Sequence, residues 1–103
     1  MTRKKLRALG RKLGQLRQSP QKAIAVQTLA QQLGRRKVKR GKEPTWESDI
    51  FPDLRPLSIP DHGGKNLSIG TKNSILNQLE DDLNYWDELV TRQEEEARTK
   101  GKK

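Results

Sequence analysis

Ile75, Leu76, Leu79, Leu83, Trp86, Leu89 and Val90 recur three and four residues apart, which is the repeat of one apolar face of an α-helix. This stripe is the strongest structural signal in the chain. Thr71 is placed to cap the helix, and the pattern continues to about residue 97, after which residues 98–103 read as a disordered tail. The stripe is longer than a small sheet can cover. Its second half is expected to pack on an N-terminal helix or on a second copy of the chain, which would make a homo-oligomer. The helix flank is acidic, with Glu80, Asp81, Asp82, Asp87 and Glu88 followed by Glu94, Glu95 and Glu96.

Little else is available to build a core. Of 103 residues 30% are hydrophobic and four are aromatic (Trp46, Phe51, Tyr85, Trp86), which is thin even for one domain. The absence of cysteine removes disulfides, thiolate zinc sites and cysteine nucleophiles. No apolar run approaches the roughly 18 residues of a spanning helix, and Met1 to Arg17 lacks the apolar middle of a signal peptide. A reducing, cytoplasmic setting fits, and no cofactor or metal is called for.

Charge divides along the chain. Residues 1–42 hold 14 Lys or Arg and no acid, and the remaining 61 hold 8 basic and 13 acidic residues. So one-sided a block resists burial and repels itself, so its stable place is against a polyanion or in solvent. Nucleic acid is the expected polyanion, with a plain solubilising segment as the alternative.

Within that block, Leu6, Leu9, Leu13 and Leu16 form a helical stripe over residues 3–17, and Arg3, Lys4, Lys5, Arg7, Arg11, Lys12 and Arg17 take the other sides. Gly10 and Gly14 each cost such a helix about 1 kcal/mol, so residues 1–18 are expected to be an extension that orders only on a partner: phosphate, another protein or, least favoured for want of an aromatic anchor, an anionic membrane face. Ser19-Pro20 resembles a helix start. It leads into a helix over 20–33 whose apolar face (Ala23, Ile24, Val26, Leu29, Ala30, Leu33) is core and which Gly34 ends.

Arg35 to Lys42 reads as a first strand with Arg36, Val38 and Arg40 on one side and Lys37 and Lys39 on the other. Gly41 to Pro44 make the turn, Thr45 to Ser48 pair as a second strand, and Leu57-Ser58-Ile59, between Pro56 and Pro60, forms a third. Asp61-His62-Gly63-Gly64 is a loop. The expected fold class is α+β, a small α-β-β-β-α domain over 19–97 with an extra basic N-terminal helix and a long C-terminal one.

Within that order, three segments carry a family resemblance. They are Leu29-Ala30-Gln31-Gln32-Leu33-Gly34, the run Leu57-Ser58-Ile59-Pro60-Asp61-His62-Gly63-Gly64-Lys65-Asn66-Leu67, and Gly70-Thr71-Lys72-Asn73-Ser74-Ile75-Leu76. Over about residues 29–83 the chain resembles the HicA toxins, small messenger-RNA-cleaving ribonucleases of toxin-antitoxin systems with a fold like the double-stranded-RNA-binding domain. The resemblance implies an RNA partner and an antitoxin-like protein partner. It also implies a catalytic histidine on the second strand after a glycine and a small residue; here that register reads Gly41-Lys42-Glu43, so Glu43 stands in the histidine's place. An ordinary carboxylate titrates too low to take the proton from a 2′-hydroxyl near neutrality, whereas an imidazole is suited to it.

His62, the one histidine in the chain, is the first candidate for acid-base work, with Glu43 orienting it or acting as base; the alternative is that His62 shapes the turn. Lys42 and Lys65 are placed to stabilise charged phosphate. Phosphate contact is expected from Arg35, Arg36, Lys37, Lys39, Arg40, Lys42 and Lys65, and from Lys4, Lys5, Arg7, Arg11 and Lys12 on the first helix. Trp46 is expected to fill the core rather than stack on a base. Two other function classes remain open: a non-enzymatic adaptor whose acidic helix at 71–97 binds a protein while the basic half grips nucleic acid, and a ribosome-bound protein.

Overall fold

A computed structural model describes residues 1–40, 43–60 and 64–100, with the Arg40, Glu43 and Lys100 side chains left aside. The fold is α+β. Helices α1 (Arg3–Arg17) and α2 (Ala23–Gln32) are followed by strands β1 (Arg35–Arg40), β2 (Glu43–Ser48) and β3 (Leu57–Ser58), and then by α3 (Ile69–Lys100). The sheet is antiparallel with order β1-β2-β3. Among the described residues no helix is long and apolar enough to cross a membrane.

One hydrophobic core joins the three helices with β2 and β3. Leu76 and Leu79 of α3, Val26 and Leu29 of α2, Leu57 of β3 and Ile59 just after it are at most 1% exposed. Trp46, central on β2, is buried with them, as its aromatic bulk beside a small sheet leads one to expect. At the C-terminal end of α2, Gly34 adopts φ +97°, the left-handed turn that favours glycine. The neighbouring Leu33 carbonyl accepts a 2.7 Å hydrogen bond from Trp86 Nε1, so α3 satisfies a carbonyl that the end of α2 leaves over.

The first helix is not an appendage. Leu6, Leu9, Leu13 and Leu16 are all buried in the common core, and α1 packs chiefly on α3 and also on α2. Four buried leucines, each contributing about 1.5–3 kcal/mol, outweigh the cost of Gly10 and Gly14. The helix therefore orders within the chain, without an outside partner, and the expected division at residue 18 has no counterpart in the packing. The two glycines are not needed for close approach, since a Cβ built on either meets nothing within 4 Å. Gly10→Ala and Gly14→Ala should therefore each raise the unfolding free energy by about 0.5–1 kcal/mol. A urea midpoint unchanged or lowered in the double variant would show that α1 is not packed as described.

Several boundaries differ from the sequence expectation. Ser19 and Pro20 do not start α2, whose N-cap is Lys22, with no side-chain cap. Tertiary ties hold this segment extended: Lys22 bridges Asn66, Gln21 O accepts from Leu67 N at 2.8 Å, and the buried Lys72 ammonium donates to Arg17 O and Ser19 O at 3.0 Å each. A cation against the last carbonyl of α1 also suits the helix dipole. The cap of α3 is Ser68 rather than Thr71; its Oγ accepts from Thr71 N at 3.3 Å, a serine capping the third helical amide. The last helix runs to Lys100, past residue 97.

The hairpin turn is also shorter than the Gly41 to Pro44 expected, since Glu43 and Pro44 already pair with Arg40 and Lys39. Pro44 is tolerated on the central strand because β3 pairs only with Thr45 and Trp46 and does not reach the missing amide.

Candidate nucleic-acid interface

The strand register sorts the basic residues of β1. Arg36 and Val38 lie opposite Glu47 and Thr45 on the face of the sheet turned from the helices, while Lys37 lies opposite the buried Trp46 on the helix-covered side, with Lys39 following it. Among the described side chains the open face is charge-balanced, with Arg36 opposite Glu47. Arg36 is paired to Asp49 at 2.6 Å, with its pKa raised first by that hydrogen bond. It has thus spent its charge within the chain.

Arg35 departs further from the expected row of phosphate contacts. Its side chain is 1% exposed, with Nε and Nη2 on the two Asp82 carboxylate oxygens at 2.7 and 2.8 Å. Nη1 donates to Trp46 O at 2.7 Å and Arg55 O at 2.9 Å. The group is a structural clamp, closed to phosphate. Burial pushes the Asp82 carboxyl up, against the downward pull of the guanidinium.

Two more arginines are committed on α1, at the edges of its polar surface. Arg3 bonds Asp87, Thr91 and Glu94 of α3, which holds Glu94 below the usual carboxylate range; Arg17 pairs with Glu80 at 2.9 Å. Thus, among the described residues, the four cations of residues 1–42 found in ion pairs are arginines facing acids from the other half of the chain: Arg3, Arg17, Arg35 and Arg36.

The remaining described cations of that half are Lys4, Lys5, Arg7, Arg11, Lys12, Lys22, Lys37 and Lys39. All are exposed, and none is in an ion pair among the described residues. They lie on α1 and β1 and, for Lys22, at the N-cap of α2, with α1 packing on α2 and α2 on β1. Between the basic elements α2 contains no charged residue and exposes Ile24, Thr28, Gln31 and Gln32. The result is a surface with no acid of its own. From Lys4 to Lys12 it extends about 12 Å along α1 at 1.5 Å per residue, a length over which duplex DNA presents about seven phosphates.

Lys65 is exposed in the segment leading to α3, which joins the start of α2 through the Lys22 and Asn66 bridge. His62 and Lys42 lie outside the described residues, as do the Arg40 and Glu43 side chains. The juxtaposition of His62 and Glu43 expected for catalysis therefore falls outside them as well. Lys22 was not among the sequence candidates, having no cationic neighbour in sequence; only the packing of α2 beside α1 and β1 adds it to the surface. Comparison with family models, with curated proteins and with solved structures gives no match to this chain.

Proposed function

We propose that this chain is a HicA-like RNA-binding protein that holds the phosphate backbone on its acid-free half. The observation that carries this reading is the partition of cations just described. Among the described residues, four arginines are consumed by acids of the other half, and eight exposed cations on α1, at the N-cap of α2 and on β1 are in no ion pair. Such a surface is unfavourable alone and gains most beside a regular polyanion. The order α2-β1-β2-β3-α3 suits the double-stranded-RNA-binding type of domain that the motifs of residues 29–83 resemble, a type that reads helix shape and 2′-hydroxyls rather than bases.

The test incubates the protein with single-stranded RNA, double-stranded RNA and DNA of equal length across a salt series, following binding and cleavage together. Binding should favour RNA duplex. Its logarithm should fall steeply against log salt, with a slope of about −7 if eight phosphates are neutralised. Affinity insensitive to salt overturns the proposal. Cleavage confined to RNA and lost in His62→Ala makes the protein a messenger-RNA-cleaving toxin with displaced chemistry. Intact strands make it a binding protein in which Glu43 marks the lost activity.

A further inference from the structure

A groove of about 750 Å³ lies between α3 and the connection from β2 to β3, lined by Asp53, Leu54, Arg55, Pro56, Asp81 and Tyr85 among others. A second hollow continues it through the shared Pro56 and Gln78 toward Ser74 and Thr71. Ser74, Gln78, Asp81 and Tyr85 follow one another at four, three and four residues, a single stripe of α3. The residues of α3 that hold α1 (Glu80, Asp87, Thr91, Glu94) fall on the opposite flank by the same spacing. The groove and the basic face of α1 are therefore separate surfaces, on either side of α3.

The groove is braced from behind. Arg35 binds Asp82 on the helix wall and Arg55 O on the loop wall, so one buried guanidinium ties the two walls together. The loop wall is held further by Ser48 Oγ, which accepts from Phe51 N at 3.0 Å. The Phe51 ring stands edge-on to Tyr85 and Trp86, at 5.5 and 4.9 Å between centroids. Into this rigid site project two exposed carboxylates, Asp53 and Asp81, that are in no ion pair among the described residues, and a Tyr85 ring that is 37% exposed. Only Arg55 offsets them, since Arg35 is neutralised by Asp82. The balance is one negative charge, which disfavours phosphate and favours a cation. Two carboxylates and an aromatic face in one groove match a planar guanidinium, which can take paired hydrogen bonds and lie against a ring.

We propose that this groove binds an arginine side chain from an extended basic segment of a protein partner, its guanidinium meeting Asp53 and Asp81 and its plane the Tyr85 ring. The interaction stands apart from the nucleic-acid face. Asp81 already disfavours the ionised Asp82 carboxyl beside it, and a bound guanidinium would relieve that repulsion.

The experiment uses the full chain and capped octapeptides that carry one central arginine, lysine or citrulline in an alanine and serine background, with guanosine monophosphate as the nucleotide alternative. Amide shifts are followed by NMR. The arginine peptide should bind with about millimolar affinity and shift residues 53–56 and 78–85. Citrulline should bind at least about tenfold more weakly, and lysine about three- to tenfold more weakly. Asp53→Asn with Asp81→Asn, both exposed and so compatible with folding, should lower arginine-peptide affinity about tenfold or more while RNA affinity rises or holds. Equal binding of citrulline, shifts produced by the nucleotide instead of the peptide, or no shift at about 10 mM peptide would each overturn the assignment. The peptide results do not depend on RNA binding by α1, so the two readings fail separately.

Discussion

Asp82→Ala should destabilise the protein by about 3–5 kcal/mol, because it leaves the Arg35 guanidinium charged, buried and without its counterion. That is a large part of the 5–15 kcal/mol that holds a domain of this size, and it corresponds to a fall in thermal midpoint of roughly 10 °C or more. Arg35→Ala should cost a similar amount, with the added loss of its bonds to Trp46 O and Arg55 O. The double change Arg35→Met with Asp82→Leu removes both charges and fills the space, and should recover most of the loss. Calorimetry and urea unfolding of the three variants read this directly. If Arg35→Ala instead melts with the wild-type protein and fails to bind RNA, Arg35 is a phosphate ligand and the clamp described above is wrong.

The second large effect concerns affinity. Changing Lys4, Lys5, Arg7, Arg11 and Lys12 together to glutamine removes five exposed cations, and glutamine is itself a good helix former, so α1 should stay docked through its buried leucines. If all five meet phosphate, the slope of log affinity against log salt should flatten by about 4, and affinity near 0.1 M salt should fall by about three to four orders of magnitude. Lys37→Gln with Lys39→Gln should cost about one to two orders on the same reasoning. Arg36→Gln, on the charge-balanced open face and paired to Asp49, should change affinity least. A loss of less than tenfold in the five-site variant, or a ranking in which Arg36 dominates, would move the interface to the open face of the sheet.

The ion-pair pattern explains why the two halves of the chain do not simply collapse onto each other through their charges. Arg3 and Arg17 dock α1 against the acidic flank of α3, but both sit at the edges of the α1 polar surface and are partly exposed. Exposed pairs of this kind contribute little in water. The leucine stripe sets where α1 lies; the arginines choose its orientation. On the outward side of α1, Arg7 lies near enough to Glu94 to help lower its pKa, while Lys4, Lys5, Arg11 and Lys12 are exposed and in no ion pair among the described residues.

Much of the architecture could be read from residue spacing. The period of the Ile75 to Val90 stripe identified α3, the period of Leu6 to Leu16 identified α1, and Gly34 marked the end of α2. Each is a local signal, legible because a helix repeats its core contacts every three or four residues. Cap positions were less legible. Ser19-Pro20 has the composition of a helix start, yet its neighbours are held extended by Asn66, Leu67 and Lys72, residues more than 40 positions away. Ser68 and Thr71 are both good caps, and the chain uses the first.

Asp82 lies three residues after Leu79 and four before Trp86, on the core face of α3, where an acid needs a buried partner. That spacing announces a clamp without naming its cation. The partner could have been any of the fourteen cations of the first 42 residues, and only the meeting of β1 with the middle of α3 selects Arg35.

By itself the sequence determined the fold class, the order of elements, the two apolar helix stripes and an N-terminal block too positive to be buried whole. Those properties belong to short windows and to summed charge, which do not depend on how elements meet. Tertiary structure alone decided that α1, rather than a second copy, covers the α3 stripe, which cations are consumed and which stay free, and that a braced groove lies on the far flank of α3. These depend on contacts between residues distant along the chain, and burial and ion pairing are properties of such contacts.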